Sequence, residues 1–168
     1  MIYPDYPLAQ ELKILFKSGI ADFERYLKAI LFSPAETIVE ASQHGLFLFS
    51  KNEEALERPV KTLDDIFRDA LRSSVPQVRY FRKDHQFYEP IMHLRLTVDN
   101  HFAREVELDL LQRDATIFDN DKIRNGYVLR AEGPLRNLIG YKKDLETITD
   151  RSAYCLSWLD RYSLWRPY

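Results

Sequence analysis

The chain has 168 residues, of which 45% are hydrophobic and 30% charged, and its formal net charge at pH 7 is −2. This length fits one medium domain or two small ones, and the composition is that of an ordinary globular protein. The slight negative charge excludes the strongly basic class of nucleic-acid-binding domains, although a local basic patch is compatible with it.

The single cysteine, Cys155, excludes an intramolecular disulfide framework and predicts a reducing compartment. The first residues, MIYPDYPLAQ, have neither the basic nor the apolar region of a signal peptide. No apolar run approaches the roughly 20 residues that span a membrane. We therefore expect a cytoplasmic protein without a membrane segment.

Residues 1–84 are predicted to form a helix-rich N-terminal part of unknown role. The spacing of apolar residues predicts three helices, over 8–17, 21–32 and 62–74. The last is expected to begin at Thr62 as its N-cap, with Asp65 in the capping-box position. Two short strands are expected within 37–50, and the charged stretch 51–61 is predicted to be a connector.

Residues 85–168 show the pattern of a second domain. Met92, Leu94, Leu96 and Val98 alternate with polar residues, which predicts a strand over 87–99 with one buried face. The elements expected after it are a helix over 101–113, two strands around Asn125-Gly126, a helix from Pro134 and a strand over 153–162. This βαββαβ order predicts an α+β, ferredoxin-like sandwich with an antiparallel sheet.

A series of short motifs runs in order through this second half. They are Glu89-Pro90-Ile91-Met92, Asp109-Leu110, Arg130-Ala131-Glu132, Pro134-Leu135, Gly140-Tyr141, Asp144-Leu145, Thr149 and Tyr162. In this order the stretch 87–163 resembles the C-terminal domain, domain V, of the elongation factor G family, which includes the ribosome protection proteins. The resemblance implies the ferredoxin-like fold and a setting in translation.

The chain departs from that family in four respects. It has no Gly-x-x-x-x-Gly-Lys-Ser/Thr motif, so we expect no GTPase domain and no nucleotide. A strand-like piece, RYFRKDHQF, is inserted before Tyr88, and the first 60 residues match nothing in the family. Arg151 stands where the family commonly has glycine, so a tight turn is expected to differ there.

The acidic residues, the histidines and the cysteine do not form the sequence pattern of an active site. Asp119, Asp121 and Asn125 lack the order of a calcium-binding loop, and the four histidines are scattered. Cys155 lies in an apolar strand and is interpreted as a small buried hydrophobic residue. We therefore expect no enzyme, no cofactor and no metal site.

Two groups of basic residues are candidates for binding RNA or a partner. Arg136 and Lys143 are seven residues apart and so are predicted to share one helix face, with Lys142 beside them. The second group is Arg79, Arg82 and Lys83, with aromatic residues between them. Such a combination suits RNA backbones and unstacked bases, but the interpretation as ordinary solvated charges is favoured for both groups.

The C-terminal tail carries Tyr162, Trp165 and Tyr168. Aromatic residues beside arginine at a chain end are candidates for an interface, and they are also compatible with packing back on the first half. From the resemblance we expect a non-enzymatic binding module that contacts ribosomal RNA or ribosomal protein. The alternative is a protein–protein interaction or regulatory module that uses the fold away from the ribosome.

Overall fold

The computed structural model describes residues 3–15, 35–42, 45–67 and 70–166. The chain divides into two compact units, Met1–Arg79 and Tyr80–Tyr168. The sequence placed the boundary a few residues further along, after residue 84. Among the described residues, no helix is long and apolar enough to cross a lipid bilayer.

The first unit is an antiparallel sheet with one helix among its described residues. Its elements are β1 (Leu8–Ile14), β2 (Thr37–Ser42), β3 (Gly45–Ser50), α1 (Glu54–Phe67), β4 (Leu71–Ser73) and β5 (Gln77–Val78). The strand order is β2-β3-β1-β4, and β5 also pairs with β1. The core is formed by leucines of the strands and the helix, namely Leu8, Leu12, Leu46, Leu48, Leu56 and Leu63.

The helix predicted over 8–17 is wrong, because this stretch contains strand β1. Leu8, Gln10 and Leu12 are buried, which is the two-residue period of a strand, and β1 is bonded to β3 on one side and to β4 and β5 on the other. The helix predicted over 21–32 lies outside the described residues. In the described residues the unit is therefore mostly strand rather than helix-rich.

Helix α1 begins eight residues before the position predicted for it, in the stretch interpreted as a connector. Thr62 is inside the helix, where its hydroxyl donates to the Arg58 carbonyl at 3.0 Å. The side chain of Asn52 caps the helix instead, because its Oδ1 accepts the Ala55 N–H at 2.9 Å. The many charged residues of this stretch lie on the solvent face of the helix. Because they are so numerous, the helical spacing of the apolar residues between them is difficult to recognise in the sequence.

The second unit is the expected ferredoxin-like sandwich, preceded by one additional strand. Its elements are β6 (Phe81–Lys83), β7 (Gln86–Asp99), α2 (Ala103–Gln112), β8 (Thr116–Ile123), β9 (Gly126–Pro134), α3 (Leu135–Leu138), α4 (Tyr141–Ile148) and β10 (Tyr154–Leu164). The antiparallel strand order is β10-β7-β9-β8, and β6 pairs with the beginning of β7. The inserted piece before Tyr88 therefore forms a hairpin with β7.

One face of this sheet forms the core with the helices. Its buried residues come from β7, β9, α2 and α4, and they include Met92, Leu94, Leu96, Val98, Leu129, Ala131, Val106, Leu110 and Leu145. The alternation predicted for residues 87–99 is confirmed. The polar members of that alternation consequently lie on the opposite face.

The helix predicted from Pro134 onward is two helices. Ile139 is extended (φ −61°, ψ 128°) and Gly140 is left-handed (φ 79°), so the chain turns between α3 and α4. Arg136 lies in α3 and Lys143 in α4. The prediction that these two residues share one helix face is therefore wrong.

Two turns of the second unit each hold two consecutive side-chain-bearing residues in the left-handed region. Asp84 (φ 50°) and His85 (φ 64°) form the turn between β6 and β7. Asp150 (φ 49°) and Arg151 (φ 64°) form the turn between α4 and β10. Arg151 thus adopts the left-handed conformation that favours glycine, at the position where we expected the turn to differ from the resembled family because glycine is absent.

Candidate binding surface

The face of the second sheet opposite the helices presents aligned side chains from three neighbouring strands. We call it the outer face. It is defined by three cross-strand rows, Trp158–His93–Glu132, Leu156–Arg95–Arg130 and Tyr154–Thr97–Val128, from β10, β7 and β9 respectively. The alternation of each strand produces these rows, because every second side chain points to the same face.

The β10 side of the outer face is apolar and exposed. Tyr154, Leu156 and Trp158 are 59%, 45% and 47% exposed. The His93 ring lies between aromatic neighbours, with centroids 5.7 Å from Trp158 and 5.4 Å from Phe118 of β8. Exposed tryptophan and tyrosine on the same face of a strand are typical of contact surfaces for partners.

The β9 side of the outer face carries charges that neutralise one another. Arg161 donates from both terminal nitrogens to Glu132 at 2.8 Å and also pairs with Asp160. The hydrogen bonds from Arg161 hold the pKa of the Glu132 carboxyl below its usual value. Arg130 likewise pairs with two carboxylates of β8, those of Asp119 and Asp121.

His93, Glu132 and Asp160 bring three possible metal-ligand atoms within 4.8 Å of one another. His93 Nε2 is 3.4 Å from Glu132 and 3.8 Å from Asp160. Both carboxylates, however, already bind the Arg161 guanidinium, which takes the place that a cation would need. We therefore interpret His93, Glu132, Asp160 and Arg161 as an ion-pair cluster.

Two of the predicted basic residues, Arg136 and Arg79, make contacts within the protein. Arg136 pairs with Glu89 and lies 4.0 Å from Asp114. Arg79, in the first unit, donates to the carbonyls of Tyr3 and Tyr6 at 2.9 Å and 2.8 Å. Its guanidinium also lies 4.4 Å from the centroid of a phenylalanine ring of β3. Both arginines therefore have internal partners that account for their presence.

The other four predicted basic residues are exposed. Arg82 and Lys83 lie on β6, where the Arg82 guanidinium is 5.7 Å from the centroid of the Phe87 ring. Lys142 and Lys143 lie in the first turn of α4. The six residues thus lie in both units: Arg79 follows β5, and the other five lie on β6, α3 and α4.

The predicted aromatic tail packs on the hairpin formed by β6 and β7. The Trp165 ring is 5.7 Å from Tyr80 and 6.3 Å from Phe87, and its backbone N–H donates to the Phe87 carbonyl at 2.8 Å. The Tyr162 ring is 6.3 Å from Phe81. Tyr168 lies outside the described residues. Tyr162 and Trp165 therefore contribute to the second unit itself.

The sequence did not indicate that Tyr154, Leu156 and Trp158 belong to a candidate binding surface. It predicted their strand correctly, but the residues between them, Cys155 and Ser157, are also small or apolar, so the pattern does not show which face is buried. The sheet pairing places Cys155 opposite buried Leu96, on the helix side. Burial raises the pKa of the Cys155 thiol to about 11.

The comparison with known families fits this fold. Residues 86–168 match the family described as Elongation factor G C-terminus. They belong to that family. The elongation factor G C-terminal domain thus begins at the first residue of β7, and it includes the outer face, Arg136 and the two lysines of α4. This is the resemblance expected from the motifs, and it is confirmed.

Curated relatives of the elongation factor G domain come from bacteria and vertebrates. The chain is 37% identical over 68 residues to "Ribosome-releasing factor 2, mitochondrial" of Danio rerio and 32% over 84 residues to that of Bos taurus. It is 31% identical over 96 residues to "Elongation factor G" of Amoebophilus asiaticus. These alignments cover 40%, 50% and 57% of the chain but only 9%, 11% and 12% of the relatives. The chain therefore spans about a tenth of their length, and residues 86–168 are a translation-factor-like module.

Proposed function

We propose that this protein binds the ribosome through its elongation factor G C-terminal domain and acts as a binding module rather than as an enzyme. The observation that carries the proposal is the family match over residues 86–168, together with the ferredoxin-like strand order of the same residues. Two of the matched relatives are named for releasing ribosomes, and a third is an elongation factor. A cytoplasmic location remains part of this proposal.

Four of the exposed cations of the second unit, two of them just before the matched residues 86–168, are the proposed contacts with ribosomal RNA. Arg82 and Lys83 extend from the β6–β7 hairpin, and Lys142 and Lys143 extend from the beginning of α4. Lysine and arginine that neutralise phosphates release counterions, so the resulting binding weakens as salt is added. Arg136 is left out of this set because its side chain is only 22% exposed, whereas the four residues of the set are exposed.

Co-sedimentation of the purified protein with ribosomes at low and raised salt tests the proposal. We expect the protein to pellet with ribosomes at low salt and to be released by salt. The variants Lys142→Glu/Lys143→Glu and Arg82→Glu/Lys83→Glu should each pellet less. A matched control, Lys61→Glu/Arg72→Glu, changes the same charge at exposed residues of the first unit and should pellet like the native protein.

The absence of pelleting at low salt would contradict the proposal. The second candidate function, a protein–protein interaction module, is favoured by the exposed apolar residues of β10 and by the net charge of −2. The two candidates differ in salt dependence, because an apolar protein interface is not weakened by salt in the same way. Binding that persists at raised salt and in both charge-reversal variants would indicate the second candidate.

A further inference from the structure

We propose that β10 pairs with β10 of a second copy of this chain, so that two sheets join edge to edge about a two-fold axis at Leu156. The proposal goes beyond ribosome binding and does not depend on it. It rests on the position of β10 in the sheet, on the residues along it and on where its regular pairing ends.

The two edge strands of the second sheet, β10 and β8, differ in the charged residues that they carry. In the described residues β10 and β8 stand at the two ends of the strand order, so each leaves one side of its backbone without a strand partner. Strand β8 carries Asp119, Asp121 and Lys122, and charges of this kind discourage pairing with another strand. The stretch Tyr154–Leu159 of β10 has no charged residue and no proline. Of the two edges, β10 is the one suited to accept a strand.

The exposed residues of β10 are complementary to themselves. In an antiparallel pair centred on Leu156, this residue faces its own counterpart, and Tyr154 of each copy faces Trp158 of the other. Directly opposed side chains in antiparallel strands lie close enough to contact, and aromatic pairs are favourable there. Each of the three side chains, about half exposed in the single chain, would lose part of its exposed surface.

The geometry of β10 limits the pairing to a stretch that is symmetric about Leu156. The register of β10 on β7 shifts between Leu159 and Arg161, so the regular strand ends at Leu159. At the other end, the strand begins just after the turn at Arg151. Beyond the paired stretch, Arg151 of one copy would lie level with Arg161 of the other, whose charge is balanced by Glu132 and Asp160.

A second copy fits this edge better than a nucleic acid does. At the Trp158 end of the apolar column the Arg161 guanidinium is already bound by the carboxylates of Glu132 and Asp160, and along the column the exposed side chains of Tyr154, Leu156 and Trp158 offer uncharged surface. Antiparallel pairing of identical edges is a two-fold symmetric contact, so it closes after two chains and gives a dimer rather than a fibre. The joined edges would also remove the only long uncharged strand edge in the described part of this sheet.

The mass of the purified full chain in solution tests the proposal. Light scattering or sedimentation between about 1 and 100 µM should show twice the chain mass of 19.9 kDa, with dissociation on dilution. Leu156→Arg should give a monomer that retains its circular dichroism spectrum. Ile123→Arg, at an exposed apolar residue of the opposite edge, should remain a dimer. A native protein that is monomeric throughout this range would overturn the proposal, and so would a dimer unaffected by Leu156→Arg.

Cysteine cross-linking tests the register and does not depend on the arginine variant being folded. In a Cys155→Ser background, Leu156→Cys places two cysteines opposite each other on the two-fold axis, and mild oxidation should give a covalent dimer. Ile123→Cys in the same background should remain monomeric on a denaturing gel. Cross-linking of Ile123→Cys in preference to Leu156→Cys would contradict pairing through β10.

Discussion

Arg136 in α3 donates a hydrogen bond to the carboxylate of Glu89 in β7, a residue that lies 47 positions earlier in the chain. Glu89 is only 7% exposed, so its charge needs a partner inside the protein. The pair joins the short helix after β9 to the first long strand of the sheet. Arg136, which the sequence made a candidate for binding RNA, therefore has a structural role.

Arg136→Ala should therefore destabilise the protein. Removing one member of a largely buried ion pair leaves the other charge without compensation, and we expect a loss of about 2–3 kcal/mol in the free energy of unfolding. Lys142→Ala, at an exposed residue of the neighbouring helix, should change it by less than about 0.5 kcal/mol. Chemical denaturation of both variants measures the difference, and equal stabilities would contradict the structural role of Arg136.

The sequence predicted the second unit well because its strands and helices have different apolar periods. The alternation in β7 identifies that strand and its buried face, and the turn at Asn125 identifies the β8–β9 hairpin. The same reasoning failed in β1, because Leu12, Ile14 and Leu15 lie close together and fit the period of a helix as well as that of a strand. Only pairing with β3, β4 and β5, which are distant in sequence, decides between the two.

The candidate surface was harder to predict for a related reason. Gly140 lies within apolar spacing that is compatible with one long helix, and the left-handed backbone that divides it is a property of the fold. The internal partners of Arg79 and Arg136 are likewise distant in sequence. Exposure of Tyr154 and Trp158 follows from β10 being an edge strand, and strand order is not encoded in any local pattern.

Gly126→Ala should cost more stability than Gly140→Ala. A Cβ at Gly126 would lie 2.0 Å from the backbone carbonyl oxygen of Val98, whereas one at Gly140 would meet nothing within 4 Å. We expect a loss of about 3 kcal/mol at Gly126 from the forced movement of backbone. At Gly140, whose φ is 79°, left-handed strain alone should cost about 1 kcal/mol. Thermal and chemical unfolding of both variants test this order, and the reverse order would contradict the described hairpin.

Arg151→Gly should stabilise the protein. Arg151 is held at φ 64°, where a Cβ is unfavourable, and glycine removes that strain at the expense of greater freedom in the unfolded chain. The expected net gain is about 0.5–1 kcal/mol in the free energy of unfolding. Arg151→Ala retains the Cβ and serves as the matched control. If the two variants were equally stable, the left-handed conformation of this turn would be contradicted.

Cys155 should make the protein less stable at alkaline pH. Burial raises the pKa of the thiol from 9.0 to about 11, so the folded protein holds this proton more tightly than the unfolded chain does. The resulting stability is complete below about pH 9 and is lost as the pH rises towards 11, up to about 2–3 kcal/mol. Chemical denaturation of the native protein and of Cys155→Ala at pH 8 and about pH 10.5 measures it. We expect the variant to lose less stability over this interval, and identical losses would contradict burial of the thiol.

Competition with full-length elongation factor G for purified ribosomes tests whether this protein binds the ribosome as a domain of that family. A domain of this family that binds the ribosome should occupy the same place as the factor's own C-terminal domain. We expect that an excess of the factor releases the fluorescently labelled chain from ribosomes. We also expect that Lys142→Glu/Lys143→Glu lowers binding of the chain before any competitor is added. Binding that is unaffected by the factor, or the absence of any binding to ribosomes, would contradict it.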